Sequence, residues 1–127
     1  MSTDAVASLD RYIEAASEKK ALNLIVLDVR DLTSIADAFI ICSGRSNRQV
    51  NAIADSIVAK LKKHKIKPLS VEGTGEGHWV LLDYGHVVIH VFYEPVREFF
   101  DLEGLWADAK RVEIPAQKKL QNSKNKA

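Results

Sequence analysis

The stretch His78–Trp106, HWVLLDYGHVVIHVFYEPVREFFDLEGLW, decides how the rest of the chain is read. Two runs rich in Val, Ile, Leu and aromatic residues, Trp79–Asp83 and Val87–Phe92, read as β-strands. They join at Tyr84-Gly85, where the glycine supplies the positive φ of a tight turn. Pro95 opens a short helix, because the N–H it lacks would find no partner in a first helical turn. Gly104 is a natural stop, so this helix is expected to end near Glu103.

The register of the hairpin sets its faces. A two-residue turn puts Trp79 opposite His90 and Asp83 opposite His86, all on one face. Val80, Leu82, Val87, Ile89 and Val91 then form a wholly apolar second face. Tyr-Gly is not an ideal two-residue turn, and a three-residue loop would move Trp79 and Leu81 to the face of Val87, Ile89 and Val91. The first register is preferred. It leaves Trp79, Asp83, His86 and His90 as a mixed aromatic and polar surface suited to recognising a partner.

Working outward, Thr3 or Asp4 can cap a first helix in which Val6, Leu9, Ile13 and Ala16 recur at helical spacing. Leu22–Val29 reads as a strand ending at Arg30-Asp31. Ala38–Cys42 (AFIIC) is continuously apolar and so belongs at the centre of a sheet, covered on both faces. Ser46 or Asn47 caps the longest helix, with an apolar stripe of Val50, Ile53, Ala54, Ile57, Val58 and Leu61. Its far end carries Lys62, Lys63 and Lys65, where cations suit a helix C-terminus. Pro68–Val71 should be a short edge strand, followed by the glycine-rich segment Glu72–Gly77. The order is helix, two strands, long helix, three strands, short helix. It specifies a single two-layer α/β domain, a mixed β-sheet with flanking helices, over residues 1–112. Residues 113–127 make a basic tail, polar and aperiodic from Pro115 onward and expected to be disordered.

With 127 residues and a net charge of +1, the chain can build one core and has no overall charge for wrapping nucleic acid. Charge is uneven locally. Glu94, Glu98, Asp101, Glu103 and Asp108 face only Arg97 in the last segment, which favours a basic partner if it is more than a solvated helix face. A single cysteine, Cys42, excludes a disulfide framework and points to a reducing compartment. The N-terminus is polar and acidic, unlike a signal peptide. No apolar run approaches the roughly 20 residues that cross a bilayer. A soluble, cytoplasmic protein with no membrane association is expected.

Most enzymatic chemistries lack their residues. Glu72–Gly77 resembles a glycine-rich phosphate loop, but it leads into a strand, carries two glutamates and has no Gly-Lys-Ser/Thr. His86 and His90 stand four strand residues apart, about 13 Å, too far for one metal ion. Cys42 in an apolar strand has its thiolate disfavoured. Arg45, Arg48 and Lys60–Lys67 have no interleaved aromatics to stack on bases. Neither cofactor nor metal is expected.

The stretch His78–Trp106 resembles the ribosomal silencing factor family, also called Iojap-related. The shared features are the Tyr84-Gly85 hairpin, the His90–Phe92 strand, Val96-Arg97-Glu98, Asp101-Leu102-Glu103 and Leu105-Trp106. Two upstream blocks match as well, LDVRDLTSIADAFIICSG (Leu27–Gly44) and GRSNRQVNAIAD (Gly44–Asp55), so the likeness covers roughly residues 4 to 108. His86 stands where the family usually has Asp, and Phe100 where it has Tyr. The resemblance implies a compact sheet similar to the nucleotidyltransferase fold. Such enzymes need a Gly-Ser turn and an Asp-x-Asp pair for two metals. Gly44-Arg45-Ser46 can supply the turn, but the later strands offer only Asp83, so the catalytic carboxylates are absent and the protein is read as not an enzyme.

The implied function is ribosomal silencing. The protein would bind the large ribosomal subunit through a large-subunit ribosomal protein, fourteenth in the standard naming, at the intersubunit face. It would sterically block the small subunit and so repress translation when nutrients are scarce. The matching contact positions are Trp79, Leu82, Asp83, Tyr84 and His90, with Glu98, Asp101 and Glu103 supplying charge. A homodimer when free and incidental contact with ribosomal RNA are also implied. Two alternatives are a nucleotidyltransferase-like enzyme and an RNA-binding ribosome assembly factor.

Overall fold

The computed structural model describes residues 2–114, with side-chain surroundings from residue 9 onward. Its strands are β1 (Leu22–Asp28), β2 (Ala38–Gly44), β3 (Ser70–Glu72), β4 (Trp79–Asp83), β5 (Val87–Tyr93) and β6 (Lys110–Arg111). The helices are α1 (Ser2–Ser17), α2 (Asn47–Lys62), α3 (Glu94–Phe100) and α4 (Leu102–Leu105). Every residue of β2 is buried, as its unbroken apolar sequence requires of a central strand. It pairs in parallel with β5 on one side and antiparallel with β1 on the other. The mixed sheet has six strands in the order β3-β4-β5-β2-β1-β6, and the molecule is the single α/β domain that the sequence specifies.

The two long helices cover one face. Leu9, Tyr12, Ile13 and Ala16 of α1 are buried there. Thr3 and Asp4 fall inside α1 rather than at its cap, since the helix already begins at Ser2. Ser46 caps α2, its Oγ accepting the Gln49 N–H at 3.0 Å. Val50, Ile53, Ala54, Ile57 and Leu61 point into the core, with Val58 at its margin. The sheet residues beneath are Val80, Leu82, Tyr84, Val87, Ile89 and Val91. Each fully buried aliphatic side chain contributes about 1.5–3 kcal/mol. An ion pair between Glu18 and Lys60 ties the end of α1 to α2.

In the hairpin, Trp79 pairs with Phe92 and Asp83 with Val88, not with His90 and His86 as expected. The turn residues are Gly85 and His86, bracketed by a Tyr84 N–H···O=C Val87 bond of 2.9 Å. Gly85 has φ +89° and His86 has no positive φ, the two-residue turn with glycine first that matches strand twist. The register differs from the expected one by two residues. An even slip keeps each side chain on its face, so the apolar face has the expected members. His86 leaves the other face and sits in the turn, its ring 5.6 Å from that of Tyr12.

The opposite sheet face is covered more thinly. Leu27, Val29, Phe39, Ile41, Val88 and Phe92 form a smaller core there with Leu102 and Ala36. The expected single helix is broken. Asp101 adopts the left-handed conformation (φ 47°, ψ 55°), ending α3 and capping α4, where its carboxylate accepts the Gly104 N–H. Gly104 thus lies within α4 and is not a stop. A short aspartate tolerates this geometry better than most residues. After β6, Val112 donates to Val26 O at 2.9 Å, and Ile114 is buried against the helix-side core. Residues 115–127, most of the expected tail, lie outside the described residues.

Candidate partner-binding face

Trp79 begins β4 and lies on the thinly covered face. The pleat brings it diagonally beside His90 of β5, and its Nε1–H donates to His90 Nδ1 at 3.1 Å. Its ring also packs on Phe92 (centroids 4.7 Å, 30° between planes) and on Phe100 of α3 (5.2 Å, 45°). Trp79 is half-buried. Phe100 is 49% exposed, and Phe99, edge-on to it at 5.1 Å, is 81% exposed. Trp79, Phe100 and Phe99 thus make a connected aromatic group at the surface. Exposed aromatic groupings of this kind mark binding surfaces more often than isolated apolar residues do.

His90 is not on the surface. It is 5% exposed, with Phe39 edge-on at 5.3 Å and Phe92 parallel at 6.2 Å. Burial among rings disfavours the imidazolium and lowers its pKa to about 4. Because Nδ1 accepts a hydrogen bond, the hydrogen of the neutral ring sits on Nε2, which is buried without a partner. Leu82 has no exposed surface and packs under the helices. Tyr84 is also buried on that side, against Tyr12 at 5.4 Å. Asp83 is half-buried, its Oδ1 accepting the Gly85 N–H at 2.8 Å. Of the eight residues expected to meet a partner, Trp79, Asp83, Glu98, Asp101 and Glu103 present side chains outward in some degree.

The acidic residues surround a buried cation. Arg97 is 8% exposed. It donates from Nε to Glu103 at 2.9 Å and from Nη1 to Ser43 Oγ at 2.8 Å, pinning α3 and α4 to the end of β2. Both contacts are charge-assisted, which such burial requires. An open cleft of about 620 Å³ lies alongside, with Glu94, Glu98 and Asp101 on its wall. Glu98 and Asp101 are exposed, and Arg111 lines the same cleft.

Among the described residues, no group of three or more His, Cys, Asp or Glu side chains is placed to hold a metal ion. Cys42 is fully buried and its thiol is pushed up to about 12 by desolvation. Among the described residues no helix is long and apolar enough to cross a membrane. Phe99 and Phe100 are not among the residues that the sequence marks for partner contact. Helical spacing does not signal their exposure, because Phe99 and Phe100 stand three and four residues after Val96, on the same side of a helix of about two turns.

The residue pattern of the family described as "Ribosomal silencing factor during starvation" matches residues 2–127. The chain is 39% identical over 106 residues to a ribosomal silencing factor RsfS from Halalkalibacterium halodurans, covering 84% of this chain and 91% of that protein. It is 43% identical over 98 residues to the ribosomal silencing factor RsfS of Chromobacterium violaceum, covering 77% and 80%. A crystal structure of a Chromobacterium violaceum protein superimposes with a TM-score of 0.76 at 37% identity, over 91% of this chain and 93% of that one. Sequence blocks, whole-chain pattern and fold therefore agree, and the chain belongs to the ribosomal silencing factor family.

Proposed function

We propose that this protein is a binding factor and not an enzyme. It docks on the large ribosomal subunit in the cytoplasm, through a large-subunit ribosomal protein at the intersubunit face. There it obstructs joining of the small subunit and so represses translation, above all when nutrients are limiting. The observation that carries this reading is the exposed aromatic area of Trp79, Phe99 and Phe100 on the thinly covered sheet face, with Glu98 and Asp101 beside it. Aromatic anchors supply binding energy and acidic neighbours select a basic partner, the charge that ribosomal proteins carry. Asp83 and Glu103 extend the same face. Leu82, Tyr84 and His90 serve it from beneath, by fixing the strands that present it. Free in solution the protein pairs with a second copy, and on the subunit it makes at most incidental contact with ribosomal RNA.

Sedimentation of the protein with isolated subunits tests this. It should travel with the large subunit and reduce the yield of joined ribosomes in proportion to occupancy. Trp79→Ala should weaken binding about thirtyfold, the loss of roughly 2 kcal/mol at a central aromatic anchor. Joined ribosomes forming freely while the protein stays bound would overturn the steric mechanism.

A further inference from the structure

We propose that His90 is a positioning residue for Trp79. By accepting the indole N–H from below, it fixes the ring so that the docking face presents an apolar indole edge, with Phe100 beside it, and no free donor. The inference rests on the reading above of this face as the docking surface. It is carried by the 3.1 Å Nε1–H···Nδ1 bond and by the confinement of the imidazole between Phe39 and Phe92, which leaves the acceptor no room to turn away. The orphaned Nε2 strengthens it. A buried polar group without a partner costs free energy, whereas an apolar side chain of similar shape would fill the site without that cost. Core packing alone therefore gives no reason for a histidine here, and its hydrogen bond to Trp79 does. A half-buried indole whose donor is committed inward meets a partner through apolar or cationic groups laid on the ring, not through a hydrogen-bond acceptor.

The test compares wild type, Trp79→Ala, His90→Phe and His90→Asn in sedimentation with isolated large ribosomal subunits. Phenylalanine keeps a ring but removes the acceptor, while the carboxamide oxygen of asparagine reaches the position of Nδ1. His90→Phe should bind about tenfold more weakly, and His90→Asn within about threefold of wild type. Nitrogen-15 NMR of the free proteins, with Trp106→Phe to assign the indole signals, should show slow solvent exchange of the Trp79 indole N–H in wild type and His90→Asn. Exchange should be fast in His90→Phe. If Trp79→Ala weakens binding but His90→Phe does not, the positioning role falls and the docking reading stands. Equal weakening by Phe and Asn would assign His90 to packing and overturn the proposal. If Trp79→Ala binds as tightly as wild type, both readings fall. Should His90→Phe not fold, rapid exchange of the indole N–H in the wild-type protein is by itself enough to refute the lock.

Discussion

Acidification isolates the energetic consequence of burying His90. In an unfolded chain the imidazole titrates near 6.5, and burial lowers it to about 4 in the folded protein. Between those values the unfolded chain binds the extra proton and the folded one does not, so stability falls as pH drops through this window. The contribution is complete above 6.5 and levels off below about 4. A window of about 2.5 pH units at 1.36 kcal/mol each gives about 3 kcal/mol in all. About 2 kcal/mol of that is lost between pH 7 and pH 5. Urea unfolding at these two pH values, on wild type and His90→Asn, measures it. The two proteins differ only at residue 90, so contributions from the rest of the chain cancel in the difference. Wild type should lose about 2 kcal/mol more than the variant. Equal losses, or an NMR titration of the His90 ring with a midpoint near 6.5, would refute the burial argument.

Other outcomes follow from single contacts. Arg97→Leu strands Glu103 and Ser43, which now receive its hydrogen bonds, and should cost about 2–3 kcal/mol in urea unfolding; a loss below about 0.5 kcal/mol would show the ion pair to be replaceable by solvent. Gly73 has φ +87°, and a Cβ there would lie 2.0 Å from the Trp79 carbonyl oxygen. Gly73→Ala should therefore cost about 2 kcal/mol or more and disturb the start of β4, visible as a shifted Trp79 fluorescence spectrum. Cys42, buried with its thiol pushed up to about 12, should resist a thiol reagent in the native protein and react fully in denaturant. Rapid native labelling would contradict its placement.

The central strand and the long helix were legible because one physical requirement decided each. Ala38–Cys42 has no polar residue to give a solvent face, and Val50–Leu61 repeats with a helix's period. The faces of the hairpin were legible too, since parity alone sets them. Its pairing was not. A glycine marks a turn without saying whether it stands first or second in it, and Gly85 stands first, with His86 as its neighbour. The burial of His90 depended on distant chain. Phe39 folds edge-on against it and Trp106 packs on Phe39 in turn, contacts that no local pattern encodes. The end of the short helix was misjudged because a glycine usually stops one, whereas here the left-handed Asp101 does so earlier.

The sheet carries helices of sixteen residues each on one side and of seven and four residues on the other. Under the docking reading proposed above, this imbalance separates folding from recognition along the chain. Phe99 and Leu105, 81% and 76% exposed, make so few internal contacts that exchanging them costs the fold little. Sequence drift can thus retune what the molecule adheres to without endangering the scaffold, and a designer could regraft that side while leaving the helix-backed half untouched.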